Sequence, residues 1–394
     1  MYILGEEELK AVEQTFKTGN LDRYVDGENS VTAKFEREFA HKMGSSNSLA
    51  VSSGTAALIC GLVGMGVGPG DEVIIPGYTY AATALAVLAV GAIPVITEID
   101  ASMGIDPIDI QRKISVRTKA VIPVHMCGLP CNMSAIMDIA KNSNIQVLED
   151  AAQACGGSYG GQRLGSIGHA GIFSFNHYKI ISCGEGGALI TNDNILFQNA
   201  LLHHDGGCIH EAEGNRPDIQ IPTFAGWNFR LTEILSAILR VQLKRLDDIL
   251  ASLRDEKRVL TERLSDVHEG VRPVISNDSK GDCGTAFFLQ FESEKQANLF
   301  AQYSEQQKID VWFPDYSGHV YSDWEPLFEK RGAHHPARDA FCIAQHVPDY
   351  TRDMCPNTTS ILKRTVGIST DVNRDDRELD VLSSDIKGII RKVF

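Results

Sequence analysis

The chain of 394 residues predicts an α/β protein: a large domain with a mainly parallel sheet flanked by helices, plus a smaller C-terminal α/β domain. Three observations carry this expectation. The length exceeds one ordinary compact core and suits two unequal units. From about residue 30 to about residue 195, helix-like and strand-like segments alternate with glycine at the joints, the pattern of a sheet covered on both faces. Beyond a break rich in Gly, Asp and Ser at 276–284, strand and helix patterns resume on a smaller scale.

The buried-strand candidates of the large domain are 72–75, 120–124, 146–148 and 171–175, each short, apolar and followed by polar or glycine residues. Their carboxyl ends are where a ligand is expected. Residues 231–251 place Leu231, Ile234, Leu235, Ile238, Leu239, Leu246 and Ile249 on one helical face, and 255–267 reads as a second, charged helical stretch. Residues 285–291 read as a strand and 374–394 as a charged terminal helix. The domains are expected at 1–250 and 251–394.

Composition excludes several classes. Apolar residues make up 43% and charged residues 22%, a soluble balance. No segment supplies the roughly eighteen uninterrupted apolar residues of a membrane span, since the nearest, 81–96, is broken by Gly91 and Pro94. The amino terminus reaches Glu6, Glu7 and Glu8 at once and has no export-signal pattern. Nine cysteines, among them Cys127, Cys131 and Cys208, are an odd and scattered count that fits a reducing cytoplasm, with no metal site expected. A net charge of −14 without a basic run argues against nucleic acid as a partner.

Three segments carry chemistry. Ser53-Gly54-Thr55-Ala56-Ala57-Leu58 follows the strand-like Leu49-Ala50-Val51 and opens a helix, so free N–H groups and the Thr55 hydroxyl would form an anion site; taken alone, such a turn is more often a capped helix with small residues for close packing. Glu149-Asp150-Ala151-Ala152-Gln153 puts a carboxylate just past a buried strand, where it needs a cation or several donors, and a helix cap would also supply donors. Lys179 lies after Phe173-Ser174-Phe175-Asn176-His177-Tyr178 and before Gly184-Glu185-Gly186-Gly187, a setting that lowers an amine's pKa and lets it attack an aldehyde.

Together with Gly70-Asp71-Glu72-Val73-Ile74-Ile75-Pro76 and Gly226-Trp227-Asn228-Phe229-Arg230, these segments resemble, in this order, the DegT/DnrJ/EryC1/StrS family of sugar aminotransferases. The resemblance implies the fold of type I enzymes dependent on pyridoxal 5′-phosphate (PLP). It implies that Lys179 holds the cofactor as a Schiff base and shuttles the substrate proton, that Asp150 pairs with the pyridinium nitrogen, and that Gln153 binds the phenolic oxygen. Tyr80 falls where the family stacks an aromatic ring on the cofactor. Gly54, Thr55 and Ser174 would hold the phosphate, with Asn228 reaching it from the other subunit of a homodimer.

The chain also departs from the family pattern. Asn176-His177-Tyr178 replaces the His-Pro-Thr-like triplet of many members. The retained Lys179 favours transamination over the dehydration carried out by members with histidine there. Leu202-His203-His204-Asp205-Gly206-Gly207 and Phe313-Pro314-Asp315-Tyr316-Ser317-Gly318-His319 stand where nucleotide-sugar members carry Asn-His-Gly and Pro-Leu-His elements. His125-Met126-Cys127-Gly128 and Pro348-Asp349-Tyr350-Thr351 look closer to the 8-amino-3,8-dideoxy-octulosonate transaminase branch. His125, His177, Arg230 and His319 are the candidate substrate residues.

The expected activity is transfer of an amino group from an amino acid, L-glutamate, to a carbonyl of a sugar-like acceptor. The alternatives are a PLP-dependent dehydratase or aromatising synthase of the same family, or a catalytically silent PLP-binding regulator.

Overall fold

The computed structural model describes residues 2–23, 25–207, 219–316 and 318–394. Cys208 and Ser317 lie outside the described residues. A seven-stranded sheet is built from β1 (Asn47–Val51), β2 (Glu72–Pro76), β3 (Ile93–Thr97), β4 (Thr118–Val121), β5 (Gln146–Asp150), β8 (Ala170–Ser174) and β9 (Gly187–Thr191). The short strands β6 (Ser158–Tyr159) and β7 (Gln162–Arg163) form a separate hairpin. The sheet order is β1-β9-β8-β5-β4-β2-β3, with β9 antiparallel to both neighbours and parallel pairing from β8 through to β3. The mainly parallel sheet expected from the sequence is therefore present.

Its two faces separate by the period of two that pleating imposes. Leu49, Val51, Val73, Ile75, Leu148 and Leu189 join one buried cluster, under α3 (Gly54–Gly64) and α4 (Ala82–Ala89), which follow α1 (Glu6–Thr18) and α2 (Val31–Met43) in the chain. Ala50, Phe173, Ala188 and Ile190 join a second cluster with Phe35 and Phe39 of the helix at Val31–Met43. Ile74, Val121 and Val147 join a third, with Ile136 and Ala140 of the helix at Met133–Ser143.

Two strands of the large sheet escape the sequence pattern. β3 contains Pro94 but occupies the edge of the sheet, where a missing N–H donor is tolerated. β9 begins at Gly187, and a Cβ there would meet the Ser53 carbonyl oxygen at 2.4 Å. Only glycine lets this strand pass so close to the turn that opens α3.

The two helical stretches expected at 231–251 and 255–267 are one 32-residue helix, Glu233–Leu264. Neither Gly nor Pro interrupts it, and Leu253, Leu260 and Leu264 continue its buried stripe. The helix ends against a three-stranded antiparallel sheet of β10 (Val271–Pro273), β11 (Ala286–Phe291) and β12 (Thr365–Ser369). Phe287, Leu289 and Phe291 of β11 face a cluster with Phe300, Ile386 and Ile390, whereas Ala286 and Phe288, on the other face, join the cluster of the large sheet. Alternation along one strand thus presents β11 to both cores.

Candidate active site

The site lies at the carboxyl ends of β5 and β8, beside the start of α3. Ser53 caps α3, its side chain accepting a hydrogen bond from the Ala56 N–H at 3.1 Å. Gly54 and Thr55, the first two residues of the helix, have no intrahelical acceptor for their N–H groups. A Cβ on Gly54 would meet Ser174 Cβ at 2.9 Å, so the turn rests directly on the end of β8. N–H groups without an intrahelical acceptor and a helix dipole are chemically suited to an anion, and Ser174 Oγ lies beside them, 3.3 Å from where a Gly54 Cβ would stand.

Asp150 ends β5 and is 4% exposed. Its Oδ2 accepts from Thr83 Oγ1 at 3.0 Å and its Oδ1 from the Ala152 N–H at 3.1 Å. Among the described residues it has no salt bridge. Burial holds its pKa above the ordinary carboxylate value, opposed by those two hydrogen bonds and by Lys179 and His125. A buried carboxylate in this state suits a cationic N–H supplied by a ligand.

Lys179 follows an Asn176-centred turn in which Asn176 Oδ1 accepts from the Tyr178 N–H at 3.0 Å and the Asn176 carbonyl accepts from the Lys179 N–H at 3.1 Å. Its ammonium makes no hydrogen bond or ion pair among the described residues. Burial lowers its pKa, and Asp150 and Cys127 act in the opposite direction. The lysine lines a cavity of about 480 Å³ together with Tyr80, Gln153, Tyr316 and His319. Tyr80 and His319 face each other with ring centroids 5.2 Å apart, and His319 lies 4.0 Å from the Tyr316 ring centroid.

The structure thus brings Lys179, Tyr80, Gln153 and His319 to one cavity. It places the other substrate candidates elsewhere. His125 is fully buried: its Nδ1 accepts from the Cys131 N–H at 3.1 Å, so the ring proton sits on Nε2 and is donated to Glu149 Oε2 at 3.1 Å. Both nitrogens are used, which corrects the expectation of a substrate contact. Glu149 also accepts from the N–H groups of Gly165, Ile167 and Gly168, which makes it a loop anchor.

His177 is exposed, bonded at Nδ1 to the Tyr2 hydroxyl at 2.7 Å, and does not line the cavity. Arg230 pairs with Asp205 at 2.5 Å, on a segment whose Phe229 carbonyl accepts from the Ser52 N–H at 2.7 Å. Arg230 too is outside the cavity lining, as is the exposed Asn228.

A model of the DegT/DnrJ/EryC1/StrS aminotransferase family matches residues 3–331. The chain belongs to that family. This aminotransferase is 37% identical over 334 residues to 3-amino-5-hydroxybenzoate synthase of Amycolatopsis mediterranei (strain S699), covering 83% of this chain and 81% of the relative. It is 34% identical over 270 residues to L-glutamine:scyllo-inosose aminotransferase of Streptomyces griseus, covering 67% of this chain and 64% of that one. The crystal structure of 3-amino-5-hydroxybenzoic acid synthase superposes with a TM-score of 0.82 at 27% identity, over 100% of this chain and 98% of the other.

Sequence reasoning missed much of the aminotransferase cavity. Trp312, Thr285 and Ser369 line it from the far side, and Cys127 from the turn after β4. Trp312 Nε1 donates to Ser369 Oγ at 3.2 Å, which holds the indole beside β12. No local pattern marks these residues, because their strands and loops meet the site only through tertiary packing. Thr83, which braces Asp150, was equally silent on an alanine-rich helix. Among the described residues no helix is long and apolar enough to cross a membrane.

Proposed function

We propose that this aminotransferase uses pyridoxal 5′-phosphate to move an amino group from an amino acid, L-glutamate or L-glutamine, to a carbonyl of a sugar or sugar-like acceptor in a biosynthetic pathway. The observation that carries the proposal is the pairing of two ionisable groups in the site. Among the described residues, Lys179 is a half-buried amine of lowered pKa without a hydrogen-bond or ion-pair partner, and Asp150 is a buried carboxylate without a salt bridge.

The donor set fits the cofactor. Gly54, Thr55 and Ser174 would take its phosphate, Asp150 its ring nitrogen, Gln153 its phenolic oxygen and Tyr80 one face of its ring. Bound there, the cofactor supplies an electron sink for charge developing at the substrate carbon. Lys179 would hold its aldehyde carbon and then carry the substrate proton as general acid and base, which a lowered pKa favours near neutrality. His319, Tyr316 and Trp312 offer aromatic faces and hydrogen-bonding edges to a polyhydroxylated ring.

The same reading includes a homodimer, with Asn228 reaching the phosphate of the other subunit. Exposed Tyr178 at 77% and Trp227 at 54% support a second copy covering this side. Division into units at 1–250 and 251–394 and a cytoplasmic location belong to the same proposal.

The test is the absorbance spectrum of the purified protein before and after L-glutamate or L-glutamine, beside Lys179→Ala. The expected result is a visible cofactor band that gives way to a near-ultraviolet one, lost in the variant. A protein that bound no PLP would overturn the proposal. A second reading, an aromatising synthase, is favoured by the name shared by the relative from Amycolatopsis and the superposed structure. Product analysis separates the two, since a synthase of that kind releases water without stoichiometric use of an amino donor.

A further inference from the structure

The turn Met126–Gly128 after β4 holds Cys127 at φ 51°, ψ 30°, in the left-handed region. Of the five non-glycine residues with positive φ among those described, Cys127 is the one that lines the cavity. A side chain bearing a Cβ is strained there and stays only where its surroundings over-determine it.

They do so at every polar atom. The Cys127 N–H donates to Gln153 Oε1 at 2.9 Å. Its carbonyl accepts from Thr285 Oγ1 at 2.6 Å. Its thiol lies 3.8 Å from the hydroxyl of Tyr78, a fully buried residue. The next carbonyl, of Gly128, accepts from the Cys283 N–H at 3.0 Å.

The first of these contacts has a directional consequence. The two ends of a carboxamide are nearly isosteric, and only the hydrogen-bond partner decides which way it faces. A backbone N–H can only donate, so the Gln153 atom against Cys127 must be the oxygen. Nε2 is then left with Met126 Sδ at 3.6 Å, a weak acceptor, and remains a donor for the cavity.

We propose that Cys127 is a positioning residue: its left-handed backbone fixes the Gln153 carboxamide so that Nε2 donates to the phenolic oxygen of the cofactor. Thr285 and Cys283 tie this turn to the segment that enters β11, so the donor's aim depends on how that segment sits. The inference rests on the functional reading above, in which Gln153 faces that oxygen.

A donor on the phenolic oxygen disperses its negative charge and weakens its hold on the neighbouring proton at Lys179 Nζ. Loss of the donor therefore raises the pH at which the visible band of the bound cofactor changes. The experiment is a spectrophotometric pH titration of the PLP-loaded wild type, Gln153→Ala, Cys127→Gly and Cys127→Val.

Glycine keeps the N–H and accepts positive φ, whereas a β-branched residue disfavours it. Cys127→Gly is expected to titrate like wild type. Cys127→Val and Gln153→Ala are expected to shift upward together, by on the order of one pH unit, the size of one lost hydrogen bond. Adding Cys127→Val to Gln153→Ala should shift it no further.

If Cys127→Val titrated like wild type, or Cys127→Gly shifted as far as Gln153→Ala, the positioning role would be wrong. Thr285→Val, which removes only the hydroxyl on the Cys127 carbonyl, carries the same test if Cys127→Val does not fold: an upward shift supports the role, and an unchanged titration overturns it. A wild type that bound no cofactor would instead sink the underlying reading, so the two failures are distinct.

Discussion

Thr83 Oγ1 donates to Asp150 Oδ2 at 3.0 Å, and Thr79 Oγ1, 2.8 Å from Thr83 Oγ1, completes a short hydroxyl chain behind the carboxylate. Because Thr83 spends its proton on Asp150, Thr79 must be the donor to Thr83. The hydrogen bond from Thr83 favours the ionised Asp150 carboxylate and so opposes the burial that raises its pKa. Thr83→Val removes this support at nearly constant volume. The expected result is PLP affinity about tenfold weaker, the loss of one hydrogen bond to a charged group, measured by titrating the cofactor-free protein.

Gly54→Ala would drive a methyl group to within 2.9 Å of Ser174 Cβ. Either the turn or the end of β8 must then shift, and the proposed phosphate cradle opens. Cofactor affinity should fall by at least tenfold, with a smaller loss in global stability, since overpacking costs roughly 1–3 kcal/mol. Pairing it with Ser174→Gly should recover part of the stability but not the affinity, which dialysis against PLP and chemical denaturation read separately.

Glu149 is 0% exposed and accepts from three backbone N–H groups of the 165–168 loop and from His125 Nε2. In Glu149→Gln an NH₂ group must face at least one of those donors. A loss of about 3 kcal/mol in unfolding free energy is expected, measured by urea denaturation. The His125→Ala variant should act mainly on stability too; a change confined to substrate KM would contradict its placement as a buried support.

His204 is fully buried, its Nδ1 lies 3.3 Å from the Leu201 carbonyl, and its Nε2 has no hydrogen-bond partner among the described residues. Burial, then the charges of Arg23 and Arg230, push its pKa well below the ordinary histidine value of 6.5. The unfolded chain therefore takes up this proton first, so stability is lost as pH falls below about 6.5, by at most about 1.4 kcal/mol per pH unit for one proton. Denaturation midpoints between pH 7 and pH 5 should show this decline, and His204→Gln should flatten it. His203 and His169, also lowered by burial, add to the slope in the same direction.

Much of the frame was legible because it is locally encoded. The strands at 72–75, 146–148 and 171–175 stand out since both faces are buried and, after the leading Glu72 and Gln146, every position is apolar or small. Lys179 and Asp150 were visible because each sits just past such a strand, where the chain must leave the sheet. The two apparent helices at 231–251 and 255–267 merged because a buried stripe, and not the change in surface charge, decides continuity.

His125 misled for a physical reason: a histidine beside a strand end is written alike whether it meets substrate or a buried carboxylate. By itself the sequence determined the α/β frame and, through its ordered motifs, the family, and it put Lys179 and Asp150 near strand ends, because periodicity and motif order are properties of neighbouring residues. Only the tertiary structure decided that Tyr80 meets His319, that Thr83 braces Asp150, and that the strained Cys127 turn joins Gln153 to Thr285. Those contacts link segments distant in the chain, and their partners are chosen by packing that no local pattern records.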